Sequence, residues 1–182
     1  MTDIIYRRAI KADYPALLAL QKINLIGNLS SAEAEDGFLS VEMDEWQFEK
    51  INTGLGIAVA ILDDVLSGYL CATSYSYSLH FPILRSMLSK LHELTIERKH
   101  PAAGNTFVYG PVCIAKSMRG TGLLTGLYGE LKRIVAPHYR FCVLFISEKN
   151  RRSFNAHIKL GMKPLGMFEY NNDQFYILGA AI

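Results

Sequence analysis

Residues 109–131 read YGPVCIAKSMRGTGLLTGLYGEL. The first part, from Tyr109 to Ile114, is typical of a strand that enters a sheet. Arg119–Gly122 forms a tight turn, after which leucine recurs at helical spacing, at Leu123, Leu127 and Leu131. A glycine turn that opens a helix leaves backbone N–H groups unpaired at the positive end of the helix dipole. The stretch therefore predicts a strand and a helix, joined by a binding site for a phosphate or pyrophosphate.

Two common nucleotide-binding motifs do not explain this turn. A P-loop requires a lysine directly after its last glycine, and no lysine follows Gly122. A dinucleotide-binding fingerprint requires Gly-x-Gly-x-x-Gly, but Thr125 stands where the third glycine belongs and Gly126 comes one position late. The chain after the turn is also too short for a complete dinucleotide-binding sheet.

A third type of phosphate carrier fits the turn and the segment that follows it. The run from Val112 to Leu124 resembles the acyl-CoA-binding motif of the GNAT acyltransferase superfamily, Arg/Gln-x-x-Gly-x-Gly/Ala after a hydrophobic strand. Arg119 and Gly122 match the motif, and Leu124 occupies its last small-residue position. The run from Asn150 to Met162 resembles the second signature of the family, an Asn-led helix that ends in Leu-Gly-aromatic, here with methionine as the last residue. The resemblance implies acyl transfer with acetyl-CoA as the co-substrate.

The other segments follow the order of elements that this resemblance implies. Strands are predicted at Ile4–Ala9, Ile57–Leu62, Val65–Tyr77, Phe141–Ile146, Lys163–Tyr170 and Gln174–Leu178. Helices are predicted after Asp13, around Trp46–Ile51, from Gly122 onward and from Asn150 to Gly161, with a loop at 28–37. We expect an α/β (α+β) fold with a GNAT-like mixed, mostly antiparallel central sheet. The sheet should have six to seven strands, be flanked by helices and be splayed at the cofactor strand.

The length suits a single domain. The resemblance implies that this is one GNAT-like acyltransferase domain over residues 1–182, with a helical insertion at about 78–106. This insertion is too long for a hairpin turn. It carries apolar residues at the spacing of an amphipathic helix, namely Ile83, Leu84, Met87, Leu88, Leu91 and Leu94. A helix packed on the sheet as additional core is the favoured interpretation, and a substrate lid or dimer surface is the alternative.

Composition narrows the range of partners. The net charge of +2 is spread along the chain, which argues against an extended nucleic-acid surface. No apolar run approaches the roughly 20 residues that span a bilayer, and the N-terminus has no signal-peptide pattern. The three cysteines, Cys71, Cys113 and Cys142, have no metal-ligand spacing and are expected to be buried, reduced thiols. We expect a cytoplasmic protein without metal, membrane or nucleic-acid partner, and a homodimer is possible.

The resemblance also implies which residues hold the co-substrate. Backbone N–H groups from Arg119 to Thr125 would bind the pyrophosphate, and exposed backbone at Val112–Ile114 would pair with the pantetheine amides. A backbone N–H near Val112 or Cys113 would polarise the thioester carbonyl. The full set of predicted cofactor-binding residues is Val112, Cys113, Ile114, Arg119, Gly120, Thr121, Gly122, Leu123, Leu124, Thr125 and Asn150. Pro111 removes a ladder donor from this strand, which predicts either a break or an edge position.

Proton transfer has one leading candidate. Many members of the family carry a tyrosine in the helix after the asparagine, and this chain has His157 at the matching place. An imidazole that titrates near neutral pH can protonate a leaving thiolate, so His157 is the predicted catalytic acid. A structural role is the common alternative for a lone helix histidine. Tyr128 is the fallback, although its spacing favours a place in the core.

The general base and the acceptor site are less well defined. Glu42, Asp44, Glu45 and Glu148 are candidate bases, but each also fits an ordinary surface carboxylate near a helix start. A water molecule, or an amine that binds already neutral, would remove the need for a base. Tyr69, Cys71, Thr73, Tyr75 and Tyr77 are predicted to share one strand face. Tyr75 and Tyr77 are the better candidates to line an acceptor cleft, and a half-buried sheet face is the alternative.

Three functions are compatible with these features. The leading hypothesis is an N-acyltransferase that transfers an acetyl group from acetyl-CoA to a primary amine of a small molecule or peptide, by direct attack in a ternary complex. The alternative is a non-catalytic CoA-binding sensor or interaction domain. A dimeric scaffold that uses the insertion as its interface is the third.

Overall fold

The computed structural model describes residues 3–136 and 138–182. The strands are β1 (Ile5–Arg8), β2 (Gly56–Leu62), β3 (Val65–Ser74), β4 (Thr106–Ile114), β5 (Phe141–Ser147), β6 (Lys163–Tyr170) and β7 (Asp173–Ala181). The α-helices are α1 (Tyr14–Lys22), α2 (Ser31–Glu35), α3 (Glu45–Gly54), α4 (Tyr75–Ser78), α5 (Pro82–Ser89), α6 (Leu123–Val135) and α7 (Arg151–Lys159). None of these helices has the length and apolar character needed to cross a bilayer.

The strand order is β1-β2-β3-β4-β5-β7-β6, and the chain divides into two compact units. The first unit contains the described residues up to 34, residues 38–72 and residues 110–136. The second contains residues 35–37, 73–109 and the described residues after 137. Strand β4 therefore contributes its second half to the first unit and its first half to the second. The predicted fold class, a mixed and mostly antiparallel sheet of up to seven strands with flanking helices, is confirmed.

The first unit is built on an antiparallel hairpin. Strand β2 pairs with β1 on one side and with β3 on the other. The hairpin turns at Asp63 and Asp64, whose φ angles of 49° and 62° lie in the left-handed region that Asp tolerates better than most residues. Helix α6 packs on β1 and β2 through the predicted leucine stripe. The largest fully buried side chains of this unit include Leu17, Phe48, Ile57, Tyr69, Leu123, Leu127 and Leu131.

Gly126 explains how closely α6 approaches the sheet. A Cβ atom at this position would collide with the ring of Tyr6 on β1. The glycine that comes one position late for a dinucleotide fingerprint therefore has a packing role in α6. Its lack of a side chain allows the helix and the strand to come into contact.

The second unit combines the first half of β4 with the C-terminal strands. Strand β4 pairs in parallel with β5 over Thr106–Val108, and β5, β7 and β6 follow in antiparallel order. Helix α5 of the insertion packs on β6. Its residues Met87 and Leu88 belong to a buried apolar cluster that also contains Leu91, Leu94, Phe141, Val143 and Ile177. This packing supports the interpretation of the insertion as additional core. The predicted splay at β4 involves both units and stays a prediction.

Three local predictions are wrong or incomplete. Strand β3 ends at Ser74, whose hydroxyl accepts a hydrogen bond from the Tyr77 N–H at 3.2 Å and caps the short helix α4. Tyr75 and Tyr77 therefore do not continue the strand face of Tyr69, because a serine cap stops the period-two pattern. The predicted loop at 28–37 contains α2, which begins with a Ser30–Glu33 capping box.

Candidate active site

The turn before α6 has the backbone shape that its glycines permit. Gly120 and Gly122 have φ angles of 84° and 90°, in the left-handed region that β-carbon-bearing residues rarely adopt. Gly122 is the N-cap residue of α6. A Cβ atom at either glycine would meet no other atom within 4 Å. The two glycines are therefore required by backbone conformation, and the space in front of the turn is open.

Several backbone N–H groups of the turn have no protein acceptor among the described residues. The Thr125 and Gly126 N–H groups donate to the Gly122 carbonyl at 2.9 and 3.4 Å and close the first turn of α6. Within the described parts of the chain, the N–H groups of the five residues Gly120–Leu124 donate to no protein acceptor. Gly120, Thr121 and Gly122 are exposed, and Leu124 is half-buried. The donors lie at the positive end of a 13-residue helix, where an anion is favoured.

The Arg119 side chain holds the turn in place. Its Nε donates to the Ile114 carbonyl at 3.1 Å, and its Nη2 donates to Oδ1 of the buried Asn24. The Asn24 amide in turn donates to the Leu20 carbonyl at 2.7 Å. The guanidinium thus connects the turn to the end of β4 and to the C-terminal end of α1. In this structure Arg119 shapes the turn through its side chain, whereas the donors of the turn come from the backbone.

The second half of β4 leads into this turn. It follows a cis peptide bond between Gly110 and Pro111, and Gly110–Val112 and Ile114 are half-buried. The Cys113 side chain is buried, and its thiol donates to the Leu20 carbonyl at 3.7 Å. Burial raises the pKa of Cys113 to about 12, against a smaller opposite influence of Arg119. The Cys113 thiol is therefore unsuited to nucleophilic chemistry at neutral pH.

The second predicted signature has the expected local geometry. Asn150 caps α7, because its Oδ1 accepts a hydrogen bond from the Ser153 N–H at 3.1 Å. Gly161, with a φ angle of 95°, follows the C-cap residue Leu160. The N-cap and the helix stop predicted for this segment are confirmed. A role for Asn150 in cofactor binding stays a prediction.

His157 lies inside the second unit and uses both of its ring nitrogens. Only 2% of the residue is exposed. Its Nδ1 lies 2.7 Å from the Ser153 carbonyl oxygen, and its Nε2 lies 3.1 Å from the Tyr109 hydroxyl. Because a carbonyl oxygen only accepts, Nδ1 carries a proton. Burial lowers the pKa of His157, and the hydrogen bond to Ser153 opposes this in part. The imidazole is therefore neutral at pH 7, and its Nε2 accepts the proton of Tyr109.

The remaining candidates have ordinary surroundings. Tyr128 is buried on α6, with the Lys132 ammonium 4.8 Å from its ring centroid. Asp44 caps α3 by accepting the Gln47 N–H at 2.8 Å, and the other three proposed bases, Glu42, Glu45 and Glu148, are exposed. Tyr69 is fully buried against Phe48, and its hydroxyl has no hydrogen-bond partner among the described residues. Burial also raises the pKa of the Tyr69 hydroxyl well above its usual value. None of these four carboxylates stands out as a general base.

Solved structures similar to this one cover nearly the whole chain. A GNAT-family acetyltransferase from Streptococcus pneumoniae has a TM-score of 0.65 at 16% identity, with 99% of both chains covered. The chain has the GNAT fold. A GNAT superfamily phosphinothricin acetyltransferase from Sinorhizobium meliloti, solved in complex with acetyl-CoA, has a TM-score of 0.65 at 17% identity and covers 100% of this chain and 89% of its own.

A further structural neighbour is the ribosomal-protein-alanine N-acetyltransferase from Brucella melitensis. Its TM-score is 0.63 at 18% identity, with 98% of this chain and 99% of the other covered. No family model matches the chain, and no curated protein matches it by sequence. The similarity to known proteins is therefore a similarity of fold. The GNAT resemblance that the two sequence signatures predicted is confirmed for the fold.

Proposed function

We propose that the protein is an N-acyltransferase that transfers the acetyl group of acetyl-CoA to a primary amine. The observation that carries this proposal is the set of five N–H groups at Gly120–Leu124 that find no acceptor among the described residues, at the start of α6 in a GNAT fold. Such donors suit the diphosphate of CoA, because each can give a charge-assisted hydrogen bond without a conformational change. The complex of the Sinorhizobium meliloti neighbour with acetyl-CoA supports the choice of co-substrate.

The proposed binding mode uses mainly backbone. The N–H groups of Gly120–Leu124 bind the diphosphate, flanked by Arg119 and Thr125. The backbone of Val112–Ile114 pairs with the pantetheine amides, as an added strand would. The N–H of Val112 or Cys113 polarises the thioester carbonyl by donating to its oxygen. Asn150, at the start of α7, completes the proposed set.

The proposed reaction is a direct attack of the amine on the thioester carbonyl carbon. The new C–N bond forms, the C–S bond breaks, and one proton moves from nitrogen to sulfur. His157 is the proposed source of the proton that the thiolate receives. The named neighbours act on phosphinothricin and on the alanine of a ribosomal protein. Because these acceptors differ, we propose no more than a primary amine of a small molecule or peptide.

The first experiment measures acetyl-CoA binding by isothermal titration and CoA release with a thiol reagent. Gly122→Val is expected to weaken acetyl-CoA binding by about 10- to 100-fold, since a β-branched residue at a positive φ costs on the order of 1–3 kcal/mol and moves the donors. Gly129→Ala is the matched control, because Gly129 lies on the same helix, is exposed and has open space around its Cα. Equal affinities of the two variants would contradict the proposed cradle.

A CoA-binding sensor without turnover is the second candidate. It is favoured by the exposed or capping positions of all four candidate carboxylates, which leave the base unassigned. Turnover distinguishes the two functions. If the wild-type protein binds acetyl-CoA but releases no CoA with a broad panel of amines, the sensor is the better assignment.

A further inference from the structure

Asn24 connects the turn before α6 to the end of α1 within the first unit. Only 5% of the residue is exposed, and its side-chain amide is hydrogen-bonded on both sides. The Oδ1 atom accepts from the Arg119 guanidinium, which also donates to the Ile114 carbonyl at 3.1 Å. The Nδ2 atom donates to the Leu20 carbonyl at 2.7 Å. Arg119 and Asn24 therefore move together, because a buried amide that loses its partners is costly.

The backbone of Asn24 holds a third part of the same unit, residues 38–43, which precede α3. The Asn24 carbonyl accepts from the Leu39 N–H at 2.8 Å. At the other end of the segment, the Gln21 side chain donates to the Met43 carbonyl at 2.7 Å and accepts from the Met43 N–H at 2.9 Å. The segment is thus attached to α1 at two points. One of these points, at Leu39, also leads to the turn.

We propose that Asn24 is a positioning residue that couples ligand binding at the turn to the conformation of residues 38–43. This inference rests on the proposed binding of acetyl-CoA at Gly120–Leu124. A diphosphate held by those N–H groups restricts the backbone of the turn, and the side chain of Arg119 leaves the chain directly before them. A restricted Arg119 fixes the Asn24 amide, and Asn24 in turn fixes the acceptor of the Leu39 N–H.

This coupling has a consequence for affinity. The coupling free energy between two sites acts equally in both directions. A molecule that holds residues 38–43 in place therefore strengthens the binding of acetyl-CoA by the same factor by which acetyl-CoA orders the segment. Asn24 acts on the cofactor through Arg119, so its contribution is one of position and not of chemistry.

The test follows amide hydrogen exchange at two backbone N–H groups of the first unit. The Leu39 N–H donates to the Asn24 carbonyl and reports on the coupling. The Ala9 N–H donates to the Ile57 carbonyl at 2.8 Å and is the control. The two residues have similar burial, with 6% and 4% of their surface exposed. Exchange is measured by NMR without ligand, with saturating acetyl-CoA and with saturating inorganic pyrophosphate, and isothermal titration determines the binding of each ligand.

In the wild type, we expect acetyl-CoA to slow exchange at Leu39 by about 10-fold more than at Ala9. Arg119→Met and Asn24→Ala remove the same hydrogen bond from its two ends and keep the Asn24 carbonyl, so each should abolish this excess. Gln21→Ala is the matched control. It removes a buried amide from the same end of α1 but leaves the Asn24–Arg119 hydrogen bond in place, so the excess should remain.

Three outcomes would overturn the coupling. Equal slowing at Leu39 and Ala9 in the wild type would mean that the ligand only stabilises the unit as a whole. An excess that persists in both Arg119→Met and Asn24→Ala would mean that it reaches Leu39 by another route. An excess that also disappears in Gln21→Ala would assign the effect to the end of α1 in general. If one of the first two variants does not fold, the other decides, because both remove the same hydrogen bond.

Pyrophosphate separates this inference from the proposed function, because it can occupy the turn without an acyl group. If pyrophosphate produces the excess at Leu39 in a protein that releases no CoA with any amine, the coupling is supported and acyl transfer is contradicted. If the protein releases CoA but shows no excess with either ligand, the coupling alone is wrong. If neither acetyl-CoA nor pyrophosphate binds, both proposals fail.

Discussion

The turn before α6 and the Tyr109–His157 pair are built from different parts of the chain. The turn presents backbone N–H groups from consecutive residues, and its shape depends on two glycines with positive φ. The pair depends on two side chains that are 48 residues apart in the sequence, joined by one hydrogen bond. The geometry of the turn is therefore sensitive to backbone conformation, whereas the geometry of the pair is sensitive to single atoms of the side chains.

Arg119 is the strongest test of this comparison, because its side chain holds the backbone of the turn in place. Arg119→Met keeps the length of the side chain but removes its hydrogen bonds to Ile114 and Asn24, and bonds of a charged group contribute about 1.5–3 kcal/mol. We expect the affinity for acetyl-CoA to fall by about 10-fold, with a lower unfolding temperature. Isothermal titration and thermal unfolding measure the two effects.

The control for this prediction is Arg85→Met. Arg85 also donates its Nε to a backbone carbonyl, that of Leu79, at 3.2 Å, but it belongs to α5. Its loss should leave the affinity for acetyl-CoA unchanged. Asn24→Ala should reproduce part of the Arg119→Met effect, and additive losses in the double variant would show that the two residues do not act on the turn together.

The pair predicts a pH dependence of stability that the turn does not. Burial lowers the pKa of His157 in the folded state, so the unfolded state binds a proton first as the pH falls. Below about pH 6.5, the usual pKa of histidine, the wild-type protein should lose about 1.4 kcal/mol of stability per pH unit until the folded pKa is reached. His157→Gln should lack this loss. Urea unfolding of both proteins between pH 7 and pH 5 measures the difference, and parallel curves would contradict a buried, neutral histidine.

Thr121 provides the smallest expected effect. Its hydroxyl donates to the Met118 carbonyl at 2.8 Å within the turn, and its N–H is one of the five proposed donors. Thr121→Ala removes the hydroxyl and keeps the N–H, so the affinity for acetyl-CoA should change by less than about threefold. A loss comparable to that of Gly122→Val, measured by the same titration, would show that side chains of the turn contribute to binding.

Local patterns in the sequence predicted much of the fold. The leucine stripe of α6, the glycines of the turn and the Asn150 cap depend on residues close together in the chain, and all three have the predicted geometry. The prediction that β3 extends to Tyr77 was wrong. It relied on the alternation of aromatic residues and did not take into account that Ser74 caps a helix. The Ser30–Glu33 capping box is a sequence signal for the start of α2. The composition of the segment favoured the prediction of a loop instead.

The functional environment of His157 could not be predicted in the same way. Its position in the Asn-led helix identified it as a candidate, but its protonation state depends on burial and on contacts with Ser153 and Tyr109. Nothing in the spacing of one sequence indicates that Tyr109 and His157 meet. The packing role of Gly126 also depends on Tyr6, a residue far away in the sequence, so the spacing alone could not predict it.

The contact between Gly126 and Tyr6 has a consequence for ligand affinity. Gly126 lies only two residues after Leu124, the last of the proposed donors, so the ring of Tyr6 sets how near the first turn of α6 comes to β1. A methyl group at position 126 would overlap the far end of the Tyr6 side chain, so either the tyrosine ring or the first turn of α6 has to move. Where the helix moves, the proposed N–H donors move with it, so we expect a substitution at position 126 to change the affinity for acetyl-CoA from beneath the helix.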